Sequence, residues 1–383
     1  MSRTALILGA GLGGVVVAET LRKLLPADCR VIAADRAEQH VFPPSLLWLM
    51  VGARRPEEIS RPLARLAERG VEFRQGEVTR IDPQAPAAEI DGQKVSADAL
   101  VIALGAAYAP ESVAGLAEAG LCVYTLEGAS AIRAALEHFS GGRVVVLTAA
   151  PQYKCPAGPY EAALLVDHFL RQRGMRERTE MDFYAAEGAP MIVAGPEMGR
   201  AVREMLEGRG IRYHPEHQVA SVETRSRGLR FANGAVAQFD LLLYVPPHRA
   251  PAVVREAALT DETGWVPVDR HTLETRFPNV YAIGDVVSIP LKMGRPLPKA
   301  GVFAHGQAEV VAHNIARAWT GKGAPRRFDG SGMCFIESGG GRAGMGSGDF
   351  YAEPVPRIAV RSPSLLWHAG KVWYEKYWLW SRF

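Results

Sequence analysis

Cys155 lies in the string KCPAGPYE (154–161), a short loop beyond an apolar run, RVVVLT (143–148), with the composition of a buried strand. Prolines flank the thiol, and Pro159 suits the first turn of a following helix. Amides and dipole at that helix N-terminus favour a thiolate, and Lys154 adds positive charge. The spacing therefore predicts a redox nucleophile of lowered pKa. Glu161, just beyond, is a candidate acid/base, with a plain complement to the helix dipole as its alternative. Cys334 is a second thiol, set between the turn DGSG and the glycine run GGGRAGMG, and spacing alone does not pair it with Cys155. Cys29 reads as structural, and Cys122 is left undecided.

A second group of residues predicts a bound dinucleotide. The chain opens with TALILGAGLGG, in which Gly9, Gly11 and Gly14 follow a strand and open a helix. Gly9 permits the tight turn, Gly11 admits a pyrophosphate, and Gly14 lets helix and strand pack closely. The helix amides then hold the phosphates, and Asp35 takes hydrogen bonds from the adenosine ribose. The string NVYAIGD (279–285) ends in Gly284-Asp285 ahead of a helix beginning near Gly301. An acid there accepts hydrogen bonds from the ribityl chain of FAD, which points to FAD rather than NAD. Val78, opening a strand beside the adenine, and Gly105, in the LGA turn, complete this set. Lys299 and the helix from Gly301 would stabilise negative charge on a reduced flavin. Nicotinamide-fed flavin reductases carry a second glycine turn about where Cys155 stands. A cysteine in that place argues for electrons arriving through sulfur instead of from NADH.

These groups require an α/β chain with two Rossmann-like domains. Residues 1–109 and 246–320 are expected to form a discontinuous FAD-binding domain. Residues 110–245 form a second domain without the nicotinamide fingerprint, and 321–383 a C-terminal region. Strands are expected at 4–9, 29–35, 72–76, 78–82, 97–106, 143–148, 181–185 and 191–194, with a β-meander over 211–245. Helices are expected at 12–25, 159–174 and 197–209.

With 383 residues, 48% hydrophobic and 22% charged, the composition suits an ordinary soluble enzyme. A net charge of +3, with bases and acids interleaved, gives no case for nucleic acid. Four cysteines without a CxxC pair exclude a disulfide scaffold and give no metal site. The start runs straight into a core strand, predicting no leader and a cytoplasmic location. No apolar stretch is long enough to span a bilayer. In the tail, Leu366, Gly370, Trp373, Tyr377 and Trp380 recur at helical spacing on one apolar face. Trp378 and Phe383 are expected to widen that face, with Lys371, Glu375 and Arg382 opposite. This mix predicts an interfacial helix on the inner face of the cell membrane. Packing on the protein body or on a twin subunit is the alternative, so a homo-oligomer stays open.

On GAGLGG (9–14), KCPAGPYE, NVYAIGD, PLPKAGVFAHGQAEVVAHNI (296–315) and Cys334 in GMCFIESGGG, the chain resembles a known family. It is similar over nearly its whole length to the sulfide:quinone oxidoreductases and the flavoprotein subunit of flavocytochrome c sulfide dehydrogenase. The resemblance implies FAD, a redox pair formed by Cys155 and Cys334, sulfide as donor and a quinone as acceptor. Many quinone-linked members carry a third cysteine in a Cys-Thr-x-x-His segment. Here that stretch is Tyr124-Thr125-Leu126-Glu127-Gly128, which leaves the sulfur product open. Val245-Pro246-Pro247 resembles a segment near the family's quinone pocket. The competing readings are an NAD(P)H-dependent reductase of the type II NADH dehydrogenase or CoA-disulfide reductase kind, a cytochrome acceptor, and a non-catalytic FAD-bound partner.

Overall fold

A computed structural model describes residues 2–383. Strand Thr4–Leu8 has no polar alternation, so it must be covered on both faces. It lies at the centre of a five-stranded parallel sheet. The order is Val280–Ala282, Ala99–Ile102, Thr4–Leu8, Arg30–Asp35 and Glu72–Gln75. Helix Leu12–Leu24 follows the first strand and packs against helix Gly301–Thr320. A Cβ at Gly301 would stand 2.5 Å from Leu12 Cδ1, so the two helices approach closely there and a larger residue would have to displace that side chain.

The second sheet repeats this plan around Gly142–Thr148. Its order is Leu121–Cys122, Leu241–Val245, Gly142–Thr148, Thr179–Ala185 and Ile211–His214, again all parallel. Helix Gly158–Gln172 connects its two central strands. The meander expected over 211–245 is confined to Val219–Glu223, Gly228–Phe231 and Val236–Gln238. The apolar strand LLLYV at its end is buried throughout and joins the parallel sheet instead. Residues 191–194 are not a strand. Met191 takes a left-handed backbone, and Ile192–Ala194 is a 3-10 turn closed by Gly195 and Pro196.

Beyond these sheets, antiparallel strands Ser331–Gly339, Arg342–Asp349 and Arg357–Ser364 lead into helix Leu365–Ser381. Ser364 caps that helix by accepting from the Trp367 amide at 3.3 Å. Its amphipathicity differs from the sequence expectation. Lys371, Glu375 and Trp378 are buried, together with Phe383 beyond its end, while Leu366, Trp373, Tyr377 and Trp380 are exposed. The charges turn inward because each finds a partner. Glu375 accepts from Ser45 Oγ at 2.5 Å and from Arg54 at 2.9–3.0 Å. Arg382 pairs with Glu19 at 2.7 Å, and Lys371 with Glu161 at 2.5 Å. A lone buried charge would be expensive, and these pairs remove that cost only while the helix is seated.

Trp378 Nε1 donates to His40 Nε2 at 3.2 Å, and His40 Nδ1 donates to the Ala10 carbonyl at 3.2 Å. The imidazole must be neutral for Nε2 to accept, and burial pulls its pKa from 6.5 to about 4 against the opposing pull of the Ala10 carbonyl and Asp35. The unfolded chain therefore binds more protons between these values. The associated stability is complete above pH 6.5 and lost as pH falls through 4. Chemical denaturation from pH 7 to 4 should show a loss of about 3 kcal/mol from this group, and His40→Gln should flatten the slope.

Candidate active site

The dinucleotide turn forms as its glycines require. Gly9 has φ +96° and a Cβ there would meet the Ala103 carbonyl at 2.5 Å, while one at Gly14 would meet the Gly9 carbonyl at 1.8 Å. A Cβ at Gly11 would meet nothing within 4 Å. The helix that follows has neither a side-chain cap nor an acid in its first turn, leaving its amides for an anion. Asp35 accepts from the Ala10 amide at 2.7 Å and the Ala37 amide at 2.9 Å, one on each oxygen. A lone pair remains on each for a ribose hydroxyl. Gly105 has a left-handed backbone facing open space, and Val78 packs into the core beneath. Gly284, also left-handed, donates to Gln307 Oε1 at 2.7 Å and presents Asp285 half-buried. Helix Gly301–Thr320 again has no side-chain cap and no first-turn acid. This cradle fits a flavin dinucleotide.

The cysteine loop joins the two sheets at this cradle. Lys154 and Lys299 form an isolated parallel bridge, with the Cys155 amide donating to the Lys299 carbonyl at 2.6 Å. Cys155 has φ +50°, a strained position for a side chain bearing a Cβ. Its carbonyl is held by the Gly158 amide at 2.8 Å and by Tyr124 Oη at 3.0 Å. Tyr124, in the stretch that lacks a third cysteine, thus braces the loop that carries the first. Lys299 Nζ donates to the carbonyls of Asp285 and Val287 at 2.7 and 2.8 Å and lies 3.5 Å from the centre of the Trp265 ring. Burial, opposed by Asp285, lowers its pKa to about 8.

Cys334, on strand Ser331–Gly339, is brought close enough for a Cys155 thiolate and Glu161 to act on its ionisation. Both thiols are free. The expected low pKa is overturned: burial pushes Cys155 up to about 12, with Glu161 adding to the rise. Lys371, the Gly158 amide and Lys154 pull the other way and lose. Lys154 is aimed elsewhere, its Nζ lying 5.0 Å from the centre of the Tyr108 ring and 5.9 Å from that of Tyr124. Burial also raises Cys334 and Cys122.

Glu161 is more than a helix-dipole acid. Its Oε1 accepts from Lys371 Nζ at 2.5 Å and from the Glu337 amide at 2.9 Å. Burial raises its pKa, with Lys371 partly reversing the shift. Glu337 pairs in turn with half-buried His368 at 3.0 Å, so the C-terminal helix supplies both basic groups behind the cysteines. Sequence reading placed Lys371 outside and missed Glu337 and His368 altogether. It also missed Glu187, which follows the second strand of its sheet as Asp35 does in the first. There it accepts from Thr148 Oγ1 at 2.8 Å, Tyr153 Oη at 2.5 Å and Tyr160 Oη at 2.7 Å. The acid that could greet a second ribose is occupied by the protein's own hydroxyls. Val245-Pro246-Pro247 leads to His248, whose ring stands edge-on to Tyr108 at 5.1 Å and does not line the cavity that reaches Cys334.

At pH 8, Cys155 in the reduced protein should alkylate roughly a thousandfold more slowly than an ordinary thiol, with the rate climbing toward pH 12. A rate already level near pH 7 would contradict the buried-thiol geometry.

The sequence profile of the pyridine nucleotide-disulphide oxidoreductase family matches residues 3–153 and 159–308. The match breaks across 154–158, the cysteine loop. The chain is 29% identical to a sulfide-quinone reductase of Aquifex aeolicus, over 100% of this chain and 91% of that protein. It is 25% identical to a mitochondrial sulfide:quinone oxidoreductase of Mus musculus, over 91% of this chain and 79% of that one. The crystal structure of the Aquifex aeolicus sulfide:quinone oxidoreductase superposes with a TM-score of 0.89, at 26% identity, covering 100% of this chain and 91% of that one. With its two parallel sheets, glycine turn and cysteine loop, the chain belongs to the pyridine nucleotide-disulphide oxidoreductase family.

Proposed function

We propose that this protein is an FAD-dependent oxidoreductase that oxidises sulfide through Cys155 and Cys334 and passes the electrons to a quinone. The observation that carries this reading is the juxtaposition of two half-buried free cysteines, Cys155 standing where a nicotinamide turn would otherwise be and Cys334 brought to it from the C-terminal region. The names of the Aquifex and mouse relatives support it. Residues 1–109 with 246–320 would hold the flavin, 110–245 would carry Cys155, and 321–383 would carry Cys334. The sheets support that division, since each draws on its own stretch of chain.

FAD would be held by Gly9, Gly11, Gly14, Asp35, Gly105 and Asp285, with Val78 beneath the adenine and Lys299 and Gly301 at the ring end. Bound there, it supplies a two-electron acceptor that can hand the pair to a quinone. Hydrosulfide attacks a Cys155–Cys334 disulfide, forming a new S–S bond to one sulfur as the old bond breaks. One cysteine then bears a persulfide and the other a thiolate. Glu161 takes the persulfide proton, with Oε1 held by Lys371 and Oε2 available. Oxidation of persulfide and thiolate to a trisulfide releases two electrons. The raised pKa suits this cycle, because bond cleavage creates the thiolate and burial leaves it poorly stabilised and electron-rich. A largely apolar cavity of about 170 Å³ reaches Cys334 between Met333, Pro156, Phe303 and Phe350. None of its lining comes from the C-terminal helix, which favours it as the sulfur side.

The exposed aromatic face of that helix supports a peripheral membrane position. No helix among the described residues is long and apolar enough to cross a membrane. Trp373 and Tyr377 stack at 5.1 Å on that face, the amphipathic pair expected at a lipid interface. A quinone dissolved in the bilayer would be reached there, whereas a soluble cytochrome would leave the face without purpose.

Anaerobic sulfide should bleach the flavin absorbance of the purified holoprotein, and a short-chain quinone should restore it. Cys155→Ser and Cys334→Ser should each slow bleaching at least roughly a hundredfold. NADH should leave the spectrum unchanged, since Glu187 is already occupied. Bleaching by NADH, or unaltered sulfide reactivity in both variants, would defeat the proposal.

A further inference from the structure

The aromatic face of helix Leu365–Ser381 ends at a basic cleft. Arg61, Arg65 and Arg69 line it on one side, and Leu379, Trp380 and Phe383 on the other, around a volume of about 590 Å³. Arg61 Nη1 donates to the carbonyls of Ser60 at 2.7 Å and Glu57 at 3.4 Å, and its guanidinium has no carboxylate partner. Arg65 meets only Glu68 at 3.7 Å, a surface pair between side chains 42% and 67% exposed. Arg69 reaches buried Glu19 at 3.6 Å, but Arg382 already holds that acid at 2.7 Å. Three guanidinium groups thus converge with one exposed acid among them. Guanidinium is the side chain best shaped to grip a phosphate through two donors.

Trp380 belongs to both features. It is 75% exposed, closes the line of Leu366, Trp373 and Tyr377, and forms a wall of the cleft. A helix of 17 residues is about 25 Å long. With its apolar face in the acyl boundary, the cleft lies at headgroup depth at one end. We propose that Arg61, Arg65 and Arg69 bind the phosphate of an anionic phospholipid, seated beside Trp380. A nucleic acid or an acidic protein would match the charge but not the continuous apolar face. The cleft then selects lipid composition and fixes the azimuth of the enzyme on the membrane, while the aromatic face supplies depth.

The inference rests on the membrane reading above, and flotation of the holoprotein with vesicles separates the two. Native protein should bind vesicles of phosphatidylcholine with phosphatidylglycerol at least tenfold more tightly than pure phosphatidylcholine. Arg61→Gln/Arg65→Gln should reduce binding to the anionic vesicles roughly 30-fold, about 5-fold per arginine, without altering binding to neutral ones. Neither residue supports a buried carboxylate, and unchanged thermal unfolding checks the fold. Equal binding of native protein to both vesicles overturns the headgroup site and leaves the membrane reading standing, with no need of a variant. An anionic preference retained in the double variant also overturns it. Native protein that floats with neither vesicle defeats the membrane reading and this inference together.

Discussion

The ion pair between Glu161 and Lys371 ties the chemistry of this protein to its C-terminal helix. Glu161 comes from the helix that follows the cysteine loop, and Lys371 from the last helix of the chain. Each charge is buried and neither could stay ionised without the other. Through the Glu337 amide and His368 the same pair pins the strand that carries Cys334. Seating the terminal helix therefore positions the second cysteine, sets the proton affinity beside both, and turns an aromatic face outward.

That arrangement accounts for a helix that is inside out by ordinary standards. A surface helix commonly buries its apolar stripe and wets its charges. Here the charges are buried because each has a partner on the body of the protein, and the stripe is left over. A line of exposed aromatic residues marks a surface that another body covers, which under the proposal above is the membrane. The half-buried thiols and the exposed rings are thus two ends of one packing decision.

Much of the dinucleotide half was legible in the sequence. Local rules govern it: a glycine turn, a helix N-terminus and an acid at a strand end are set by neighbours in the chain. Gly9, Gly14 and Gly284 show the close approaches or left-handed backbone those rules demand. What escaped was non-local. The pKa of Cys155 was misjudged because a helix amide and Lys154 are visible in sequence, while burial against Cys334, Glu161 and the final helix is not. Lys371 and Glu375 were placed outside because periodicity reports which residues share a face, not which face turns inward. Strand 241–245 and turn 192–194 fail for related reasons, since sheet membership and a left-handed Met191 are decided by packing.

The central claim is that sulfur passes across Cys155 and Cys334 as a covalent bridge. Mass spectrometry of non-reduced peptides, after anaerobic reaction of the holoprotein with isotopically labelled sulfide, tests it most directly. The account predicts the Cys155 and Cys334 peptides joined to one another, with labelled sulfur between them. Label recovered on Cys122 alone, or both peptides recovered unlinked and unlabelled from protein whose flavin has been reduced by sulfide, would contradict it.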